Sequence, residues 1–241
     1  MQKTKKAEHS HLKIRATEYE CNICNDRGFV PNDNGSFIGL CKCQEIKKAR
    51  HNLKKSNLAD VIKKYTFENF ETDTDFLKDY KKRAMSFIQK PEGWFAMLGQ
   101  TGLGKSHLIT AMTIHLIGKG KQAYYVKWQN EMIRSKNNFW NMDQQLLDKL
   151  KTVEVLYIDD FLKTDDGEKV HAEENRLAFN IIDSRYLNPK LITIISSEKN
   201  IKDINQINGA LAGRIVEMCG GLESKRLIDS GYKENGNFRF R

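Results

Sequence analysis

The stretch Gly99-Gln100-Thr101-Gly102-Leu103-Gly104-Lys105-Ser106 constrains this chain more than any other. Gly99 and Gly104 flank four residues, and Lys and Ser follow directly, which is the pattern of a phosphate-binding loop. The apolar run Trp94–Leu98 before it reads as a buried strand, and Ser106–Met112 after it opens an apolar helical period. A loop between strand and helix is the context this pattern needs. Its glycines let backbone N–H groups turn towards a β-phosphate, where the helix N-terminus adds roughly half a positive charge. Lys105 is predicted to reach the β- and γ-phosphates, and Ser106 to offer its hydroxyl to Mg²⁺, a hard cation that takes oxygen ligands. His107 follows on the first helical turn and is counted with the binding loop.

A second motif lies about 55 residues downstream, where the apolar run Val153–Ile158 ends in Asp159-Asp160. An acid at the carboxyl edge of a strand faces the Mg²⁺ of a nucleotide on the loop. Asp159 is expected to hold the metal through water, and Asp160 to orient or deprotonate the attacking water. Acidic pairs also end strands and cap helices, but one site explains both motifs at once. Further buried strands are read at Gln122–Val126 and Leu191–Ile195. Helices are read at Phe76–Gln89, Trp128–Ser135, Met142–Lys151, Asn175–Leu187 and after Gly209, with a polar loop over Lys163–Glu174. This alternation specifies an α/β fold around a parallel sheet, with the nucleotide at the carboxyl ends of the strands. Ser196, Ser197 and Glu198 end the strand at Leu191–Ile195, where a polar residue can sense a γ-phosphate or simply make a turn. Arg214 falls on the polar side of the last helix, the usual place of a surface charge.

The N-terminal quarter has a different character. Residues 1–20 are polar and aperiodic, a lead-in. Cys21-x-x-Cys24 and Cys41-x-Cys43 are two close thiol pairs in a glycine-containing stretch, assigned here to a small module over 21–44. Four thiolates suit tetrahedral Zn²⁺, which would supply folding energy that so short a segment lacks; an iron–sulfur cluster or free thiols are the alternatives. Cys219, alone in an apolar helical context, reads as a packed core thiol. Residues 45–64 read as a basic helical linker, and 65–241 as the α/β domain. Of the net charge of +9, residues 1–64 contribute 14 Lys and Arg against 7 Asp and Glu. Such a bias suits a polyanionic partner or a solvated surface. No apolar run approaches the roughly 20 residues of a membrane span, so a soluble, cytoplasmic protein is expected.

Together these motifs resemble the AAA+ ATPases of the DnaC/DnaI helicase-loader group, related to the IstB transposition ATPases. The paired cysteines resemble the zinc-binding region of DnaI-type loaders, and Thr66-Phe67-Glu68-Asn69-Phe70 the segment that enters their ATPase domain. Gly99–Ser106 is similar to their Walker A and Leu156–Asp160 to their Walker B; Ser196-Ser197-Glu198 falls at their sensor 1. Glu198 stands where many relatives carry Asn, and an acid there repels phosphate unless it is paired. The resemblance implies that Arg214 is a finger acting on a neighbour's γ-phosphate, and that the domains self-assemble side by side. It further implies ATP, Mg²⁺ and Zn²⁺ as cofactors, a slow ATPase, a DnaB-family replicative helicase and single-stranded DNA as partners, and no full C-terminal lid. The DNA contact is expected at Lys127, Arg134 and Lys136, with Trp128, Phe139 and Trp140 nearby as stacking rings. The aromatic string Tyr65-Thr66-Phe67-Glu68-Asn69-Phe70 is expected either to flank an adenine or to join the core.

Overall fold

The computed structural model describes residues 21, 23–31, 37–41, 43, 44, 47, 64–137, 142–164 and 168–230. The lead-in over 1–20, and the helical linker apart from Lys47 and Lys64, lie outside the described residues. Two compact units are present, Met1–Glu45 and Ile46–Arg241. In the first, strands β1 (Phe29–Pro31) and β2 (Phe37–Leu40) form an antiparallel pair in which Phe29 faces Leu40. Among the described residues its buried apolar side chains are those of Cys21, Cys24 and Cys41, with Val30 and Cys43 packed against them.

The second unit begins with helix α1 (Asp75–Gln89) and strand β3 (Trp94–Leu98), followed by α2 (Lys105–Gly118). Strand β4 (Ala123–Lys127), helix α3 (Trp128–Asn137) and helix α4 (Gln144–Thr152) lead to β5 (Val155–Asp159). Then come α5 (Ala172–Tyr186), β6 (Ile192–Ser196), α6 (Ile201–Ile207), α7 (Gly209–Met218) and β7 (Leu227–Asp229). The five strands lie in the order β4-β5-β6-β3-β7, all parallel. This is the parallel-sheet α/β fold the motifs call for, and its order is what assembles the site. Chain order reverses at β3, which stands between β6 and β7, so the loops after β3, β5 and β6 open side by side at one edge.

Every residue of β3, β5 and β6 is buried, because helices cover both faces of the sheet. Side chains alternate between faces. Trp94, Ala96 and Leu98 join the core formed with α5 and α7, while Phe95 and Met97 join the one formed with α1 and α2. The edge strand β4 is only partly buried. Helix α5 begins at Ala172 rather than Asn175, which shortens the expected loop. In this unit two elements escaped the sequence reading. Helix α6 is short, although Asn200 and Asp203 close a reciprocal capping box at its start; β7 has too few residues for a periodic signal. Among the described residues no helix is long and apolar enough to cross a membrane.

Arg185 was also not legible, because a fully buried arginine runs against the usual distribution. Its guanidinium donates to Thr193 Oγ1 and to the carbonyls of Leu150, Val153 and Ile192 at 2.8–3.1 Å, tying α5 to β6 and to the end of α4. Burial pulls its pKa down to about 9. Arg185→Ala should destabilise the second unit by about 3 kcal/mol, since several buried acceptors lose their donor at once. Chemical denaturation of the two proteins measures this.

Candidate functional site

The loop after β3 is shaped by positive φ at Gly102 (77°) and Gly104 (71°), a region where a β-carbon is strained. Gly104 caps α2, and the fully buried Leu103 anchors the loop from below. Lys105, the first residue of α2, is itself buried and folds back, its Nζ donating to Gly99 O at 2.8 Å and Gln100 O at 2.5 Å. Burial lowers its pKa to about 8, against the opposing pull of Glu198, Asp160 and Asp159. A burial cost of this kind is tolerated where the ammonium has an anionic ligand to meet.

Asp159 ends β5 directly beside the loop. Ser106 Oγ donates to its Oδ1 at 2.8 Å, Ser196 Oγ to the same oxygen, and Tyr125 OH to Oδ2 at 3.2 Å. The parallel sheet has therefore brought together the serine and the carboxylate that the two motifs nominate for Mg²⁺, and an all-oxygen donor set fits that ion. Tyr125 was not singled out from the sequence, because its role depends on β4 lying next to β5. Asp160 follows at φ 56°, turned out of the strand. Burial raises its pKa, the Asp159 charge adds to this, and Lys163 and Lys127 oppose it; their Nζ atoms stand 3.9 and 4.0 Å from its Oδ2.

Loop, acids and entry segment line one cavity of about 640 Å³, running from Tyr65, Asn69 and Phe70 past Thr101 and Lys105 to Asp160 and Glu198. That volume is within the range of small-molecule sites. His107 lies on the aromatic side. Its Nε2 is 2.8 Å from Thr66 O and 3.0 Å from Asn69 Oδ1, so this nitrogen carries the hydrogen. Its ring stands edge-on to Phe70 and beside Tyr65. Burial lowers its pKa below that of a free imidazole. Of the aromatics there, Phe70 is buried in the core and also borders the cavity, which Tyr65 lines as well.

At the end of β6, Ser196 serves Asp159 and Ser197 Oγ donates to Phe161 O at 2.7 Å, which leaves Glu198 as the group in the cavity wall. Burial alone would raise its pKa, but Lys163, Thr101 and Lys105 together hold it below the ordinary value. Arg214 lies outside this cavity. It pairs with Asp183 Oδ1 at 2.6 Å and stacks over Phe179 and Tyr186, so it is clasped against α5 rather than lying loose on the surface.

The stacking surface expected beside β4 needs correction. Trp128 is fully buried, its Nε1 donating to Glu174 Oε1 at 2.7 Å and its ring meeting Phe161 edge-on, so no base can reach it. Lys127 points to Asp160, and Arg134 is exposed beside Glu131. The Lys136 side chain, Phe139 and Trp140 lie outside the described residues. Cys219 is buried, as a core thiol should be.

In the first unit the four thiols Cys21, Cys24, Cys41 and Cys43 converge, all sulfurs lying within 4.8 Å of one another. Cys21 and Cys41 are 3.8 Å apart, Cys24 and Cys43 3.4 Å, and none is in a disulfide. A tetrahedron of Zn–S bonds near 2.3 Å has edges of about 3.8 Å, so the cluster fits zinc. Gly28 N donates to Cys24 Sγ at 3.3 Å, the kind of contact that steadies a metal-bound thiolate.

Residues 41–219 match the family described as IstB-like ATP binding protein. Over 195 residues the chain is 35% identical to the uncharacterised YqaM of Bacillus subtilis, covering 76% of this chain and 62% of that one. It is 29% identical over 221 residues to the phage-like element PBSX protein XkdC of Bacillus subtilis, covering 85% and 81%. The replicative helicase loader DnaC of Escherichia coli aligns over 168 residues at 23% identity, covering 67% and 66%. In fold the chain is similar to the crystal structure of DnaI, with a TM-score of 0.53 at 19% identity over 66% of this chain and 87% of that one.

Proposed function

The chain belongs to the family of IstB-like ATP-binding proteins, and on that premise we propose that it is an ATPase that delivers a DnaB-family replicative helicase onto single-stranded DNA. One observation carries the ATPase part: Lys105, Ser106 and Asp160, from two distant segments, line one cavity at the end of the sheet, and Asp159 accepts a hydrogen bond from Ser106 beside it. Bound ATP supplies the phosphoanhydride, and bound Mg²⁺ draws charge from its phosphates. Lys105 and the N–H groups of Gly102–Lys105 hold the phosphates, and Ser106 and Asp159 hold the cation. Asp160 orients the attacking water and accepts its proton, while Tyr65 and the His107 platform bound the base side. Arg214 acts across a boundary between copies, and leaves Asp183 to do so.

Helicase delivery is supported by the DnaC relative and by the motif resemblance to its group. The four-cysteine module holds the helicase, and the basic positions Lys127, Arg134 and Lys136 attract the DNA strand. A transposition ATPase is the second reading, supported by the IstB-like family match together with the motif resemblance to the IstB transposition ATPases. Phosphate release, measured with and without single-stranded DNA, tests the chemistry. Asp160→Asn should bind ATP normally and release phosphate at least tenfold more slowly, as expected when a general base is lost. Recovery of the replicative helicase with ATP supports loading; recovery of a transposase instead moves the function to the second reading.

A further inference from the structure

Glu198 is an acid in the wall of a cavity built for polyphosphate, and its ion pair explains how it is tolerated. Lys163 Nζ lies 2.9 Å from Glu198 Oε1 and 3.9 Å from Asp160 Oδ2, so one ammonium is shared between two carboxylates. The backbone that presents it is firmly held. Phe161 N donates to Ser196 O at 2.8 Å, Ser197 Oγ to Phe161 O at 2.7 Å, and Lys163 N to Asp160 O at 3.1 Å. Phe161 and Leu162 are fully buried, and Leu162 adopts φ 56°, a conformation that a branched apolar residue takes only under constraint. The result is a tight turn that aims Lys163 back over the site. A lysine on a fixed Cα can still swing its head, because its stem has four rotatable carbons.

We propose that Lys163 reads the terminal phosphate of a bound nucleoside triphosphate, with Glu198 as its resting counter-ion. This inference rests on the cavity being the nucleotide site. Three ammonium groups, of Lys105, Lys127 and Lys163, stand among three carboxylates, of Asp159, Asp160 and Glu198, and Glu71 adds a fourth carboxylate to the cavity lining. The extra phosphoryl group of a triphosphate repels Glu198 and attracts Lys163, whereas a diphosphate lacks that charge. When Lys163 shifts, Asp160 keeps Lys127, and Glu198 keeps its hydrogen bond with Thr101. The pair thereby converts a repulsive acid into a discriminator.

Calorimetric titration with ADP and with a β,γ-methylene ATP analogue, both with Mg²⁺, tests this without turnover. Lys163→Ala should lose about tenfold or more in affinity for the analogue and change within about twofold for ADP, the signature of one lost charge-assisted contact. Lys163→Arg should retain most of the affinity. Glu198→Gln should bind the analogue several-fold more tightly, roughly the gain expected from removing one like charge. Equal losses for both nucleotides, or no change in either, overturn the role of Lys163 while leaving the nucleotide site standing. A wild-type protein that binds neither nucleotide overturns both.

Discussion

Lys105→Ala should bind ATP at least about 100-fold more weakly than the unaltered protein, because it deletes charge-assisted bonds to two phosphates, each contributing roughly 1.5–3 kcal/mol. Folding should be little affected: Nζ bonds only the carbonyls of Gly99 and Gln100 at the loop tip, and the apolar core lies below. Acidity gives the same residue a second signature. Its pKa of about 8 means that the ammonium is lost as pH rises past that value, whereas bound phosphate holds the proton on. Affinity should therefore fall above pH 8, by up to about tenfold per unit, and Lys105→Arg should not show this fall. The linked stability runs the other way. Between about 8 and 10.5 the unfolded chain binds the proton more tightly than the folded one, so this residue's contribution to stability rises with pH. Calorimetric titrations and denaturation midpoints across that window separate the two. Unchanged affinity in Lys105→Ala removes the loop from the site.

Cys21→Ser should abolish metal binding and unfold the first unit. Among the described residues of that unit the buried apolar side chains are those of Cys21, Cys24 and Cys41, so metal ligation is what holds them together. Zinc binding by such modules is worth an apparent 10–16 kcal/mol at about pH 7, which is folding free energy. Metal analysis should give one Zn²⁺ per chain before the substitution and none after, and a strong chelator should reproduce the effect. ATP affinity should not move, since Ile46–Arg241 is a compact unit with its own core. Iron in the analysis would reassign the cluster. Joint loss of metal and ATP binding would show that the two units fold together.

The sequence by itself determined the chemistry of the loop and the acids, because both are local. A strand, a glycine-rich turn and a helix start follow each other without a break from Trp94 to Ser106, and an apolar strand runs straight into Asp159-Asp160. The thiol spacing was legible for the same reason: ligands two or three positions apart share one turn, and the hairpin closes the rest. Aromatics were harder, since composition carries no direction. Trp128 beside basic residues reads as a stacking ring, yet the fold buries it against Phe161 and Glu174.

Tertiary structure alone decided the partners of each charged group. The serine of α2 meets the carboxylate of β5 only because β6 and β3 are neighbours in the sheet. Tyr125 reaches Asp159 across β4 and β5, Arg214 is clasped by Asp183 from another helix, and Glu198 is neutralised by Lys163 from the loop after β5. Local motifs depend on short-range sterics and backbone hydrogen bonds, which a few adjacent residues specify. Charge pairing across the sheet depends on strand order, and strand order is set by how all the apolar faces can be buried at once.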